Sequence, residues 1–160
     1  MKLTWLGHDG FLLVTKDKKI YVDPYQLPQN PEKADLILLT HTHYDHTSMK
    51  DIDKIKKDST KFVTTPDSEL VKNIVVMSPG DKEKIGDVQI EAVPAYNVDK
   101  KFHTKDKSWN GYLITVEGKT IYHAGDTDLI PEMLQIKCDV ALLPVSGTYV
   151  MTAEQAAEAA

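Results

Sequence analysis

The apolar run Leu36-Ile37-Leu38-Leu39-Thr40 hands directly to His41-Thr42-His43-Tyr44-Asp45-His46, a hexapeptide with four metal-capable side chains. A short continuous run of this kind reads as a buried β-strand. The cluster therefore sits where a rigid strand gives way to a loop that can curl and converge its side chains. Two neutral imidazoles one residue apart can close on one cation, and a carboxylate and third imidazole just after them can reach a second. Histidines at strand ends can also be plain surface residues, and Asp and Thr there are common turn formers. Three of the chain's six histidines crowded beside one aspartate favour the metal reading, the core of a two-metal hydrolytic site.

Composition bounds the rest. A chain of 160 residues, 41% apolar, fits one domain over 1–160 with a sizeable core. The N-terminus has an early Lys2 and no long apolar stretch, so neither a signal peptide nor a membrane-spanning helix is expected. The single Cys138 forbids an intramolecular disulfide, which suits a reducing cytoplasm, and it reads as a small core residue at the start of an apolar strand. A net charge of −5 argues against broad nucleic-acid attraction.

Strands dominate the remaining pattern, at Leu3-Leu6, Phe11-Thr15, Ile20-Val22, Lys61-Thr64, Asn73-Met77 and Val88-Ala95. Helical spacing occurs over Met49 to Lys57, a short turn over Ser68 to Lys72, and a short helix over Leu129 to Ile136. Thr152 with Ala153-Glu154-Gln155 has the form of a capping box opening an alanine-rich helix. Gly10-Phe11-Leu12-Leu13 followed by Ile20-Tyr21 is echoed by Gly111-Tyr112-Leu113-Ile114 followed by Ile121-Tyr122. Each copy reads as a β-hairpin, with Asp17-Lys18 or Glu117-Gly118 at the turn, ending in an Asp-bearing loop at Asp23-Pro24 or Asp126-Thr127.

The pattern His-x-His-x-Asp-His after an apolar strand, the opening MKLTWLGHDG, Tyr122-His123-Ala124-Gly125-Asp126-Thr127 and Ala141-Leu142-Leu143-Pro144-Val145 together resemble the metallo-β-lactamase fold superfamily. The likeness is to its metal-dependent hydrolase branch, which includes enzymes similar to ascorbate-6-phosphate lactonase, and it covers essentially the whole chain. It implies an α/β fold, a four-layer αββα sandwich with metals at one edge between the sheets. It also implies two divalent metal ions, zinc first, with manganese or iron suited to the same donors.

Asp126 sits in a Gly-Asp-Thr turn and matches the bridging aspartate of the family, a role that needs a carboxylate because two close cations repel. His123, three residues earlier, reads as packing or hydrogen-bonding to a ligand. Related hydrolases place a further histidine after a segment like Val93-Pro94-Ala95-Tyr96, where this chain has Asn97, and the nearest histidine is His103. Either His103 joins His41 and His43, or Asn97 or water completes the shell and His103 contacts substrate. Lys100, Lys101, Lys105 and Lys107 would then stand at the rim and favour an anionic substrate. Trp109 and Tyr96 could wall the pocket, with core packing the preferred reading.

The expected chemistry is attack by a hydroxide of the dinuclear site on a small, anionic ester, lactone or phosphate ester, with Asp45 orienting the nucleophile as well as binding metal. His8 could hydrogen-bond to substrate or to a ligand, and Asp23 could fix the tautomer of a ligating imidazole. The alternative is a metal-dependent nuclease acting on RNA or DNA, which the net charge disfavours. A degenerate, non-enzymatic metal site is the third reading. Relatives continue past the Ala-rich helix to another strand with a last histidine ligand, whereas this chain stops at Ala160 without a C-cap signal. The expectation is a fragment lacking the family's C-terminal strand and helix, whose first metal site outlasts its second and whose activity is reduced or absent. Partners are expected to be a small-molecule substrate and no membrane, with oligomeric state, homo-oligomer included, left open.

Overall fold

The chain forms two compact units, Met1–Val76 and Met77–Ala160, each built on one sheet. The structure, a computed structural model, describes residues 1–70 and 72–160. Residue 71, within the turn expected over Ser68 to Lys72, lies outside the described residues.

In the first unit the strands are β1 (Lys2–Gly7), β2 (Gly10–Val14), β3 (Lys19–Val22) and β4 (Leu36–Leu38). Helix α1 (Met49–Ile55) follows, then β5 (Lys61–Thr64) and β6 (Ile74–Val76). They form one sheet in simple sequence order, antiparallel from β1 to β3 and parallel from β3 to β6. The change of sense follows connection length: short turns close the hairpins, whereas parallel neighbours need a crossover such as the one that carries α1. Ile52 and Ile55 lie three apart on one face of α1 and pack with Tyr21, Ile37, Leu39 and Phe62. The β3-to-β4 connection is held to the start of this helix by buried Asp51, whose carboxylate accepts from the Gln26 and Leu27 amides at 2.9 and 3.0 Å. Ser48 and Lys54 donate to the same carboxylate, each at 2.8 Å.

In the second unit the strands are β7 (Lys82–Ile85), β8 (Val88–Pro94), β9 (Asn110–Val116), β10 (Lys119–His123) and β11 (Val140–Leu142), and the chain ends in helix α2 (Ala153–Ala159). The sheet order is β11-β10-β9-β8-β7, antiparallel except where β11 runs parallel to β10. Tyr96, Tyr122, Ile130, Met133, Met151 and Ala156 form its local core. Thr152 caps α2 with both bonds of a capping box, as its sequence suggests.

The repeated hairpins are β2–β3 and β9–β10. Glu117 and Gly118 both take positive φ, 52° and 72°, in the two-residue turn of the second copy. The leading glycine has one task in each unit. A Cβ on Gly10 would lie 3.1 Å from the Asp23 carbonyl oxygen, and one on Gly111 would lie 2.8 Å from that of Ala124. Each glycine thus lets the strand-end loop thirteen residues later pass close to its backbone.

Two expectations are corrected, and one strand was not anticipated. The helix expected over Leu129 to Ile136 is a 3-10 helix, Pro131–Gln135, because Pro131 sets its start and only tighter i→i+3 bonds close it. Strand β7 escapes the sequence reading, since Lys82-Glu83-Lys84 has no apolar alternation. Cys138 is exposed rather than buried, lying ahead of an edge strand whose residues stay partly open.

Candidate functional site

In the first unit, β4 delivers Leu39, Thr40 and then His41 into a loop closed by the His46 and Thr47 amides on the His43 carbonyl, at 3.0 and 2.8 Å. The Thr47 hydroxyl also donates to the His41 carbonyl at 2.7 Å. Beneath the loop lies Asp23, 0% exposed with φ 44°, a left-handed backbone that aspartate tolerates better than most residues. It accepts from the Thr40 amide at 2.8 Å and from the Thr40 hydroxyl at 2.5 Å, and its Oδ2 lies 2.8 Å from His46 Nδ1.

Donor accounting then fixes two tautomers. A carboxylate only accepts, so His46 carries a proton on Nδ1 and, as the neutral imidazole, keeps its lone pair on Nε2. Thr40 spends its one proton on Asp23, so its oxygen accepts from His41 Nδ1 at 3.0 Å, and in the neutral ring His41 Nε2 likewise keeps the lone pair. That atom lies 3.1 Å from His43 Nδ1, and the His41 and His46 rings lie 3.9 Å apart between centroids.

His8 follows Gly7 at the β1–β2 turn, with φ 49° after 102°. Its Nε2 lies 3.1 Å from Asp45 Oδ2 and 3.6 Å from Asp9 Oδ2. His8, Asp9 and His46 each offer a ligand atom, all within 4.8 Å of one another. Nothing in the sequence singles out Asp9, since an aspartate in a Gly-His-Asp-Gly turn has an ordinary local role. Only its nearness to His46, 37 positions away, marks it.

In the second unit, Asn97 and His103 clasp the ends of one loop. The Asn97 amide donates to the His103 carbonyl at 2.7 Å, and Asn97 Oδ1 accepts from the His103 amide at 2.9 Å. Asn97 Nδ2 donates to the Tyr149 carbonyl at 2.9 Å, which orients the amide and leaves Oδ1 to accept from His103 Nδ1 at 3.1 Å. His103 therefore bears its proton on Nδ1, and its Nε2 lies 3.0 Å from Asp126 Oδ2. Asn97 thus orients the histidine, a relation that the sequence reading framed as competition. His123, at the end of β10, is buried and its Nδ1 accepts from the Gly125 amide at 3.2 Å, shaping the turn that carries Asp126.

The expected basic rim is altered by local pairing. Lys100 donates to Asp128 at 2.5 Å, and this carboxylate raises the ammonium pKa. Lys105 donates to Glu132 at 3.0 Å and to the Tyr96 hydroxyl at 3.2 Å, and its ammonium lies 4.4 Å over the Tyr96 ring centre. Lys101 and Lys107 are exposed. Buried Trp109 packs its ring 5.7 Å from that of His103.

Mixed sheets whose strand ends release imidazoles and carboxylates with preset tautomers define a metallo-hydrolase class of protein. The model of the β-lactamase superfamily domain matches residues 2–160. A UPF0173 metal-dependent hydrolase of Pyrococcus furiosus is 35% identical over 99% of this chain and 78% of its own length. One of Koribacter versatilis is 33% identical over 100% of this chain and 78% of its own. Among solved structures, a metal-dependent hydrolase described as putative, from Parabacteroides distasonis, superposes with a TM-score of 0.90 at 37% identity, covering 98% of this chain and 75% of that one. A metallo hydrolase of the archaeon Ignicoccus hospitalis gives 0.78 at 28% identity, covering 98% and 76%. The chain belongs to the metallo-β-lactamase superfamily, among its metal-dependent hydrolases. No helix among the described residues is long and apolar enough to cross a membrane.

Proposed function

We propose that His41, His43, Asp45, His46, His103 and Asp126 are the ligands of two divalent ions, with zinc the metal best matched to the donors and manganese or iron next. The activity proposed is hydrolysis of a small ester, lactone or phosphate ester, and the cytoplasm is the proposed location. One observation carries the reading: His41, His46 and His103 each have Nδ1 engaged by Thr40, Asp23 or Asn97, so each, as the neutral imidazole, turns the lone pair of Nε2 toward a metal. His103 Nε2 and Asp126 Oδ2, both electron-rich and 3.0 Å apart, are held together by a cation or by a proton. Preset tautomers of this kind are what metal-binding histidines require from their hydrogen-bonding neighbours.

When bound, such ions supply Lewis acidity and make a bound water acidic enough to act near neutral pH. The chain's own residues then divide the work. Asp23 and Asn97 hold imidazoles in the ligating form, and Asp45 orients the nucleophile. His8, half-exposed and 3.1 Å from Asp45, stands where it can donate to a substrate oxygen. Elemental analysis of chelator-free protein, paired with a screen of esters, lactones and phosphate esters, tests the assignment. Bound metal and turnover are expected, both falling at least tenfold in His43→Ala. Unchanged metal content in that variant would overturn it.

A further inference from the structure

Beside His103 the second unit displays aromatic surface where polar side chains would cost less. Phe102, immediately before it, is 48% exposed, and Tyr149 is 53% exposed. Their rings meet edge to face, 4.8 Å between centroids at 74°, and the Phe102 ring lies 6.5 Å from that of His103. A single exposed aromatic needs no explanation, but two packed against each other withhold apolar area from a core that would gain from it.

This pair is also held rigidly. The Ser146 hydroxyl oxygen lies 3.3, 3.0 and 3.3 Å from the amides of Thr148, Tyr149 and Val150 and accepts from them. The Ser146 and Gly147 amides both donate to the Met151 carbonyl, at 3.0 and 2.9 Å, with Gly147 at φ 72°. The Tyr149 carbonyl is fixed from the other side by Asn97, the residue that also orients His103. One amide therefore sets the position of the aromatic platform and of the candidate ligand together. Rigid presentation of this sort reduces the ordering cost of binding.

Charge points the same way. Lys100 and Lys105, which would otherwise draw an anionic group to this loop, are neutralised by Asp128 and Glu132, leaving only Lys101 and Lys107 of the four lysines exposed to solvent with no ion pair among the described residues. The first unit repeats the theme independently: Tyr44, between His43 and Asp45, is 77% exposed and stands edge-on to Tyr25 at 6.2 Å.

We infer that Phe102 and Tyr149 form a binding platform for an aromatic substituent of the substrate, so that the compound hydrolysed is an aryl- or arylalkyl-bearing ester or lactone. The inference deepens the proposed hydrolase reading and rests on it for the word substrate. An NMR titration compares phenylacetate with acetate, product-like carboxylates differing by one ring. The metal content of each sample is measured separately. Phenylacetate is expected to bind at least tenfold tighter, with the ratio falling below threefold in Phe102→Ala and Tyr149→Ala and surviving in Tyr149→Phe. Both side chains lie half in solvent, so these variants keep the fold, and metal content should not change. An equal affinity for the two acids, or a ratio indifferent to both alanine variants, overturns the platform. So does concentration-dependent association of the protein that Phe102→Ala abolishes, which would assign the patch to a second copy. The ratio is read with or without metal bound, so a chain that holds no metal refutes the ligand assignment while the platform is judged on the ratio alone.

Discussion

Asp23 serves four groups with one carboxylate: the Thr40 amide, the Thr40 hydroxyl, His46 directly and, through that hydroxyl, His41. Replacing it by asparagine keeps the volume but offers an N–H where His46 needs an acceptor. We expect Asp23→Asn to weaken metal binding by roughly 10–100-fold and to cost about 1–3 kcal/mol of stability through buried groups left unsatisfied. Competition with a chelating dye and denaturant unfolding measure the two effects, and unchanged metal affinity would remove Asp23 from its assigned role. At this scale the sequence is half legible. The hexapeptide declares itself because its donors are neighbours in the chain, and a strand-end aspartate is visible as such. The partners of Asp23 lie 17 and 23 residues away, a separation that only folding closes. Asn97 shows the same limit, since its amide can be read as a ligand or as a support until its hydrogen bonds are seen.

Elements owe their legibility to local chemistry. Both copies of the hairpin are visible because glycines, turn residues and β-branched runs recur at one interval, and α2 because Thr152 and Gln155 spell out a cap. Strand β7 is hidden because its first three residues are charged and it takes its conformation from pairing with β8. The start of α1 at Met49 is legible, but the role of Asp51 is not: it looks like an ordinary first-turn acid, yet it ties down the preceding connection. Burial alone would raise its pKa, but the Lys54 ammonium, the Ser48 hydroxyl and the Gln26 and Leu27 amides prevail and hold it below its ordinary value of 3.8. A carboxyl depressed in the folded state adds stability that is present above the unfolded value and lost as pH falls through the folded one. Thermal unfolding followed downward from pH 5 should therefore show a loss below about pH 4 that is shallower in Asp51→Asn. Identical slopes for the two proteins would mean that the carboxylate does not anchor the helix.

For the molecule as a whole, ligand binding and folding are linked, because ions that bind only the native chain shift its unfolding equilibrium. With free metal at 100 times its dissociation constant, the gain is about 2.7 kcal/mol, on the order of 5–10 °C in Tm for a chain of this size. Calorimetry before and after dialysis against a chelator should show that drop, reversed by adding zinc, and an unchanged Tm would place the metal outside the native state's stability. The class of fold was legible at this scale because the motif, the hairpins and the strand-rich pattern agree. The layout of each sheet was not, since neither strand order nor the parallel pairing of β11 has a local signature. Gly10 and Gly111 carry a last implication. Each marks a spot where a side chain would press on a backbone oxygen of a loop bearing Asp23 or leading to Asp126, so a substitution at either, most of all at Gly111, must push backbone aside at a residue that touches no reactant.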